Sequence, residues 1–387
     1  MMKRSYKYRL YPTPKQISLL QFTLNKCRNL YNVSLQHRRD AYKSASKHSV
    51  SYNEQANELP LLKKEFPEYK QVFSQVLQDV LSRTDKAYKN FFRRIKQKTD
   101  KAGFPRFKAK ERYNSFTYIQ SGFSFTKDKG RIELSKIGLV KIKLHRQIPD
   151  KAQIKTCTIK QEGEQWYVIF SCELTNPIPE KKAVANAIGI DLGLTDFAVL
   201  SNGEEIANPK YLKQSETKLK EIQSKYSKGK SKKVIKQLGN LHRKIAKQRN
   251  DFQHKLSHKL INTFDLIAYE DLKVKQMIED NKYDLQKHIH DASWGIFISM
   301  LKYKAEDAGT YCVAVNPRGT TQICSKCGTI VKKDLYERSH DCPVCGYVTT
   351  RDHNASQNVL RLGMSQMNNM LIQSASCSLK PTLFRGG

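Results

Sequence analysis

Polar and apolar positions alternate at the start of the chain, where Tyr6, Tyr8 and Leu10 are separated by Lys7 and Arg9, the period of a half-buried strand. Thr13, Pro14 and Gln16 then announce a helix as N-cap, first helical residue and reciprocal capping partner. Ile17, Leu20, Leu24, Cys27 and Tyr31 recur at helical spacing and carry that helix to about residue 45. A second helical region spans 73–98, with Val76, Val80, Ala87 and Phe91 on its inward face. Arg83, Lys86, Lys89, Arg93, Arg94, Lys96 and Lys98 make a basic exterior suited to phosphates. The segment 103–108, GFPRFK, breaks the helix, and short strands are expected at 115–119, 123–126, 131–134, 139–144, 154–160 and 166–173. Strands at this spacing predict a small antiparallel barrel. The first strand has no partner nearby, so it is expected to join that barrel, with the helices inserted between. Phe104, Phe107, Tyr113, Phe116 and Tyr118 sit among Arg106, Lys108, Lys110 and Arg112; they can stack on unpaired bases, and core packing explains each of them equally well.

The pattern changes class after the linker at 177–182. An apolar strand at 187–193 carries Asp191 near its end, and a second strand at 197–201 turns through Asn202-Gly203 into a third at 205–207. A long helical region follows over 211–262. The apolar run at 264–272 is a buried strand that again ends in carboxylates, Glu270 and Asp271. An amphipathic helix at 293–307 and a strand at 311–315 lead into a cysteine-rich stretch.

Charge narrows the partner. The 387 residues hold 69 Lys and Arg against 36 Asp and Glu, a net charge of +33. A folded chain carrying such self-repulsion is expected to meet a polyanion, and nucleic acid fits best. Between 213 and 259 alone, 15 Lys and Arg face three Asp and Glu, enough to line a nucleic-acid channel. A membrane surface is the competing reading, but no apolar run reaches the roughly 18 residues of a spanning segment. The N-terminus lacks a secretory pattern, so the protein is expected in the cytoplasm of a prokaryotic cell, nucleoid-associated when bound.

Cys324, Cys327, Cys342 and Cys345 form C-x2-C-x14-C-x2-C, each pair followed by a glycine, Gly328 and Gly346. Two such knuckles read as one tetrahedral Zn²⁺ site with no open position, a brace and not a reaction centre. The other cysteines, Cys27, Cys157, Cys172, Cys312 and Cys377, are scattered singly in or beside apolar segments, as reduced thiols are. Chemistry then falls to three acids: Asp191 in the first strand of an α/β unit, Glu270 at the end of a later one, and Asp352 near a helix start beyond the cysteines. Any one alone reads as a cap or surface acid. In a ribonuclease-H-like sheet the three positions meet, where hard carboxylate oxygens can hold two Mg²⁺ ions about 4 Å apart for phosphodiester hydrolysis.

The motifs IGIDLG around Asp191, IAYEDL around Glu270 and RDHNASQNVL around Asp352, with the paired cysteines between the second and third, resemble the split RuvC-type nuclease of the TnpB family. That family is encoded by small insertion sequences and is related to type V CRISPR effectors. YRLYPTPKQ near the start and GFPRFK extend the resemblance over nearly the whole chain, without departure at the three acids or four thiols. It implies an α+β multidomain fold: a wedge-type β-barrel with an inserted helical recognition domain, then an RNase H-like (RuvC) α/β nuclease domain with an inserted zinc ribbon. On this chain the barrel's first strand would occupy 1–12, the recognition helices 13–110 and the rest of the barrel 111–182. The nuclease would occupy 183–317 and 351–364 around a ribbon at 318–350, with 365–387 a mobile tail. The resemblance further implies a guide RNA, a double-stranded DNA target beside a short motif, and cleavage as an endonuclease; a monomer is expected. The alternatives are an unguided, structure-selective RuvC-like nuclease and a non-catalytic regulator of transposition.

Overall fold

The computed structural model describes residues 2–44, 47–98, 102–175, 179–280, 283–334 and 337–378, with the side chains of 2, 283, 284 and 373–378 left aside. The chain divides into two compact units, Met1–Pro177 and Ile178–Gly387.

In the first unit, strand β1 (Met2–Tyr11) leads into helix α1 (Pro14–Lys43), followed by α2 (Tyr52–Asn57), α3 (Leu59–Glu65) and α4 (Ser74–Lys96). Six strands follow: β2 (Ser115–Tyr118), β3 (Phe123–Phe125), β4 (Arg131–Leu134), β5 (Gly138–Lys143), β6 (Gln153–Glu162) and β7 (Gln165–Leu174). β1 pairs antiparallel with both β7 and β5, at the middle of a seven-stranded sheet of order β2-β6-β7-β1-β5-β4-β3. The first strand therefore finds partners more than a hundred residues away, as its unpaired alternation predicts. The α1 start carries the expected capping box between Thr13 and Gln16, and the Gln16 amide also donates to the Leu139 carbonyl at 2.7 Å, tying the helix to β5. Alternate residues of the sheet, among them Tyr8, Leu10, Ile142, Val168 and Phe170, share one core with Leu20, Leu24 and Leu35 of α1 and Val76, Leu77 and Val80 of α4.

Two sequence expectations in this unit give way to packing. Arg83 is not part of the basic exterior: its guanidinium donates to the Ser115 carbonyl and the Thr117 hydroxyl and pairs with Asp79, locking α4 to β2. Of the five aromatics offered for base stacking, Tyr113, Phe116 and Tyr118 are buried in the core, while Phe104 and Phe107 stay exposed. The helices α2 and α3 were not anticipated; they are short turns whose apolar spacing is too brief to register as a period.

The second unit opens with β8 (Ala187–Leu192), β9 (Asp196–Leu200) and β10 (Glu205–Ala207), then helices α5 (Tyr211–Gln214), α6 (Glu216–Lys228) and α7 (Lys232–Thr263). After β11 (Leu266–Glu270) come α8 (Val274–Glu279), α9 (Tyr283–Ala292), α10 (Trp294–Ala308) and β12 (Tyr311–Val315). A small hairpin of β13 (Ser339–Asp341) and β14 (Val348–Thr350) precedes α11 (Arg351–Ser378). The sheet order is β10-β9-β8-β11-β12, with β8, β11 and β12 parallel and β9 and β10 antiparallel. Both faces are covered, which is why β8 and β11 read as near-continuous apolar runs. One face packs Ile188, Ile190 and Tyr269 against Leu256 of α7 and Phe297 of α10; the other packs Ala268 and Val313 against Val359 and Met367 of α11. Met367 lies in the stretch 365–387 expected to be a mobile tail; it is buried against the sheet, and α11 runs on to Ser378. Residues 379–387 lie outside the described residues.

The basic stretch 213–259 forms a helical hairpin. Leu219 and Ile222 of α6 pack on Leu241 and Ile245 of α7, leaving Lys218, Lys225, Lys233, Lys244 and Lys247 outward in water.

The approach of α11 to β8 is limited by Gly189. A Cβ there would meet the Ser356 carbonyl oxygen at 2.1 Å and the Leu360 amide at 2.6 Å, both backbone atoms that cannot swing away. Gly189→Ala is therefore expected to destabilise by about 2 kcal/mol, the cost of overpacking. Gly239→Ala, half-buried on α7 beside the flexible end of Arg243, should be neutral or stabilise by up to about 1 kcal/mol. Thermal unfolding of the two variants beside the parent checks the contrast.

Candidate acidic cluster and four-cysteine site

The acids are gathered by strand register. β8 and β11 are parallel neighbours with Gly189 opposite Ala268 and Ile190 opposite Tyr269. One residue further, Asp191 and Glu270 stand side by side at the C-terminal ends of adjacent strands, about 4.8 Å apart across the sheet. Strand side chains alternate faces, so Asp191 and Glu270 point to the same face as Gly189 and Ala268, two residues before them. That is the face α11 covers: added Cβ atoms at Gly189 and Gly363 would strike the Ser356 carbonyl and the Ala268 Cβ respectively. Asp352, one turn ahead of Ser356 in the first turn of α11, is thereby delivered to the two strand ends.

The electrostatics agree with this convergence. Burial pushes the Asp191 carboxyl well above the usual carboxylate range, and the negative charges of Glu270 and Asp352 push it further, against the pull of Arg351 and Arg338. Glu270, 6% exposed, is also raised, first by burial and then by Asp352, with the Thr320 hydroxyl opposing. Arg338 and Arg351 each approach a different oxygen of Asp352 at 3.4 Å.

Thr320 was not singled out from sequence. Its Oγ1 lies 2.6 Å from Glu270 Oε1 and 2.9 Å from the Pro317 carbonyl oxygen. A hydroxyl has one proton to give. With Glu270 ionised, Thr320 donates to the carboxylate; with Glu270 protonated, the carboxyl donates to Thr320, whose proton turns to Pro317. Thr320 thus fixes the Glu270 side chain in either state.

The four cysteines close a second site. Cys324 Sγ lies 3.7 Å from Cys345 Sγ and Cys327 Sγ 3.6 Å from Cys342 Sγ, and all four sulfurs fall within 4.8 Å of one another. These separations are too long for disulfides. A regular tetrahedron of sulfurs about 2.3 Å from a central Zn²⁺ has edges of about 3.8 Å, so the donor set fits that ion. The two knuckles repeat one backbone pattern: the Cys324 and Cys342 amides donate to the Thr329 and Tyr347 carbonyls, and the Gly328 and Gly346 amides donate back to the Cys324 and Cys342 carbonyls. That turn requires positive φ after the second thiol, supplied by Gly328 at 80° and Gly346 at 65°. Hydrogen bonds from Thr329 lower the Cys327 thiol to about 6. At Cys345 the Tyr347 amide pulls the same way, but burial and the neighbouring sulfurs hold the thiol up at about 12. The first proton of such a cluster leaves easily and the last does not, unless a cation takes its place. Of the remaining cysteines, Cys27, Cys157 and Cys172 are buried free thiols and Cys312 is half-buried, while the side chain of Cys377 lies outside the described residues.

A polar seam joins the knuckles to α11. Asn354, fully buried, accepts from the Ser325 amide at 2.9 Å and donates to the Ile323 carbonyl at 2.8 Å. Asn358 donates to the Thr320 and Ile323 carbonyls, and Gln357 accepts from the Ser325 and Tyr347 hydroxyls. These three sit at helical spacing on one stripe of α11. The stripe is visible in the sequence, but without a partner it reads as an ordinary exposed face.

A family model described as "Probable transposase" (OrfB of IS605) matches residues 169–281, a "Cas12f1-like, TNB domain" model matches 294–359, and a "Helix-turn-helix domain" model matches 1–47. A Streptomyces pristinaespiralis protein named "Putative RNA-guided DNA endonuclease" is 33% identical over 94% of this chain and 90% of its own length. The chain belongs to the TnpB/IS605 OrfB family. A second member, from Escherichia coli strain K12 and named "Putative RNA-guided DNA endonuclease InsQ", is 29% identical over 94% of this chain and 93% of its own length. The fold is also that of the protein in a solved Cas12f1-sgRNA-target DNA complex, with a TM-score of 0.54 at 11% identity over 92% of this chain and 98% of that one. The helix-turn-helix label does not describe this TnpB-family chain, whose residues 2–43 form one strand and one continuous helix.

The crowding of carboxylates has a sign that can be tested. Asp191 binds its proton more tightly folded than unfolded, so its contribution to stability is fullest below the ordinary carboxylate range and is lost as pH rises from about 4 through its raised value. Metal-free Asp191→Asn protein should therefore melt higher than the parent at pH 7, by roughly 2–4 °C for each kcal/mol of relief in a unit of this size. The advantage should vanish near pH 4. Melting curves of the two metal-free proteins at both pH values check this.

Proposed function

We propose that this chain is an RNA-guided DNA endonuclease of a transposable element, which binds a transposon-derived guide RNA, recognises a short motif beside its target and hydrolyses DNA phosphodiesters. The observation that carries the reading is the triplet of Asp191, Glu270 and Asp352, brought into mutual electrostatic range at the C-terminal ends of two inner strands of a mixed sheet. Relatives named for RNA-guided DNA cleavage align with it over nearly their full lengths. We read the five-stranded sheet with α11 as the RNase H-like (RuvC) nuclease, interrupted by the zinc ribbon at 318–350. The seven-stranded sheet we read as the wedge barrel, with the helices of 13–110 inserted.

Three converging carboxylates, two of them held above their usual range, are a hard oxygen donor set whose repulsion a divalent cation offsets, so the residues fit Mg²⁺. Two such ions, when bound, supply Lewis acidity and a water that is nucleophilic near neutral pH. The chain's own part is positional. Asp191 and Glu270 project from rigid strand ends, Glu270 is oriented by Thr320, and Asp352 closes the set from a helix that cannot slide because its backbone rests on Gly189. Arg338 and Arg351 lie beside Asp352, where their guanidinium groups can receive a phosphate oxygen. The basic hairpin of α6 and α7 offers a surface for nucleic-acid phosphates.

Asp191→Ala, Glu270→Gln and Asp352→Ala should each reduce cleavage by at least about 10³-fold while leaving RNA binding within about twofold. The guided reading is tested by assembling the protein with two RNAs that differ only in the guide segment and offering both DNA targets together. Each assembly is expected to cut its matched target, since base pairing carries the sequence information. Equal cutting by RNA-free protein, or one target cut by both assemblies, would leave an unguided structure-selective nuclease in its place. Binding without any cutting would leave a regulator.

The ribbon makes a separate prediction. Elemental analysis should find one Zn²⁺ per chain, and Cys342→Ser should lose it and lower the melting temperature, because binding energy at a structural zinc is folding energy.

A further inference from the structure

The first unit holds an open cavity of about 460 Å³ between the C-terminal halves of α1 and α4 and the segment that carries Phe104. Its walls are aromatic. Tyr88 and Phe92 stack at 6.4 Å and 27°, and Phe104 stands edge-on to Tyr88 at 5.5 Å and to Phe91 at 5.1 Å. Phe92 is 59% exposed, in a unit whose other large aromatics are mostly packed in the core.

Two polar groups lie buried behind the cavity wall. Arg38, 8% exposed, donates from Nε to Gln55 and from Nη1 to Asp85, but its Nη2 is buried with no partner among the described residues. The Tyr88 hydroxyl is buried and unpartnered as well, and the Arg38 guanidinium sits 5.4 Å from the Tyr88 ring centre. Arg39, stacked over Phe104 and Phe107, and Lys43 stand at the rim.

The occupant must be flat to lie among these rings and should carry an anion to meet Arg39 and Lys43. We propose that this pocket takes a single unstacked base of a bound nucleic acid, its ring against Phe92 and Phe104 and its phosphates on Arg39 and Lys43. An apolar side chain of a protein partner would leave the two cations at the rim unused. The inference rests on the reading of this chain as a nucleic-acid-binding nuclease and adds to it a site for one extruded base.

The test uses the full chain and hairpins made in RNA and in DNA, each with one bulged 2-aminopurine, beside matched hairpins with an abasic bulge or none. The bulged base should bind about tenfold more tightly than the abasic site, the worth of one base stacked on aromatic rings, and its fluorescence should be quenched on binding. Phe92→Ala combined with Phe104→Ala should abolish the preference and the quenching while leaving the affinity for the abasic hairpin within about twofold. Phe92→Leu, which keeps an apolar side chain and removes the π face, should lose part of the quenching without loss of melting temperature. Quenching with RNA alone or DNA alone supports the pocket and names the source of the base. Binding of both hairpin types without any preference for the base overturns the pocket and leaves the nuclease reading standing. Failure to bind either nucleic acid at low salt overturns both.

Discussion

The second unit depends on one close approach: α11 lies on β8 and β11 with almost no side chain between. Gly189, Ala268 and Gly363 are the contact residues, and at Gly189 the helix backbone occupies the space a Cβ would need. Small residues at a helix-sheet contact usually trade buried apolar area for proximity. Here the proximity has a use, because the first turn of α11 carries Asp352 to the ends of two strands that already hold Asp191 and Glu270 in register. Gathering three carboxylates, Glu270 buried and Asp191 and Asp352 half-buried, is unfavourable in the free protein, as the raised positions of Asp191 and Glu270 record. The packing of α11, with Val359 and Met367 buried against Val313 and Ala268, offsets that repulsion.

The cysteine knuckles make the same helix rigid from its other side. Asn354, Gln357 and Asn358 leave little of the first knuckle's backbone unpaired, and Asn358 also holds the Thr320 carbonyl while the Thr320 hydroxyl orients Glu270. Hydrogen bonds and short stretches of backbone thus link the first knuckle to an acid of the cluster. A metal with no open coordination position can in this way bear on a reaction it does not touch.

Charge is handled differently in the two units. In the second, the lysines of α6 and α7 stand in water because the hairpin buries only its apolar stripe. In the first, arginines are drawn inward as structural donors: Arg83 locks α4 to β2, and Arg38 binds Gln55 and Asp85. Each of these arginines is paired with an acid, Asp79 and Asp85, so their withdrawal leaves the net charge of +33 to the other side chains. Arg38 Nη2 and the Tyr88 hydroxyl are among several buried polar atoms left without a partner among the described residues, and these two lie behind rings that face an open cavity.

Much of this was legible in the sequence. The spacing of Cys324, Cys327, Cys342 and Cys345 with their glycines fixes two local turns, since a knuckle is made by residues within five positions of one another. The strands of both sheets follow from alternation or from unbroken apolar runs, and the Thr13 to Gln16 capping box from a three-residue spacing. The three acids were legible as candidates because each closes or opens such an element. What the sequence left open were relations across long separations: the register that sets Asp191 beside Glu270, the buried role of Thr320, the inward turn of Arg83, and the sorting of Phe104 from Phe116. The burial of Met367 belongs with them, since nothing in the last helix marks where its packed part ends. Local patterns are governed by contacts a few residues apart, which every window of the chain displays. Partnership between residues 50 or 80 positions apart is decided only when the backbone of α11 settles on Gly189 and the sheet fixes which side chains share a face.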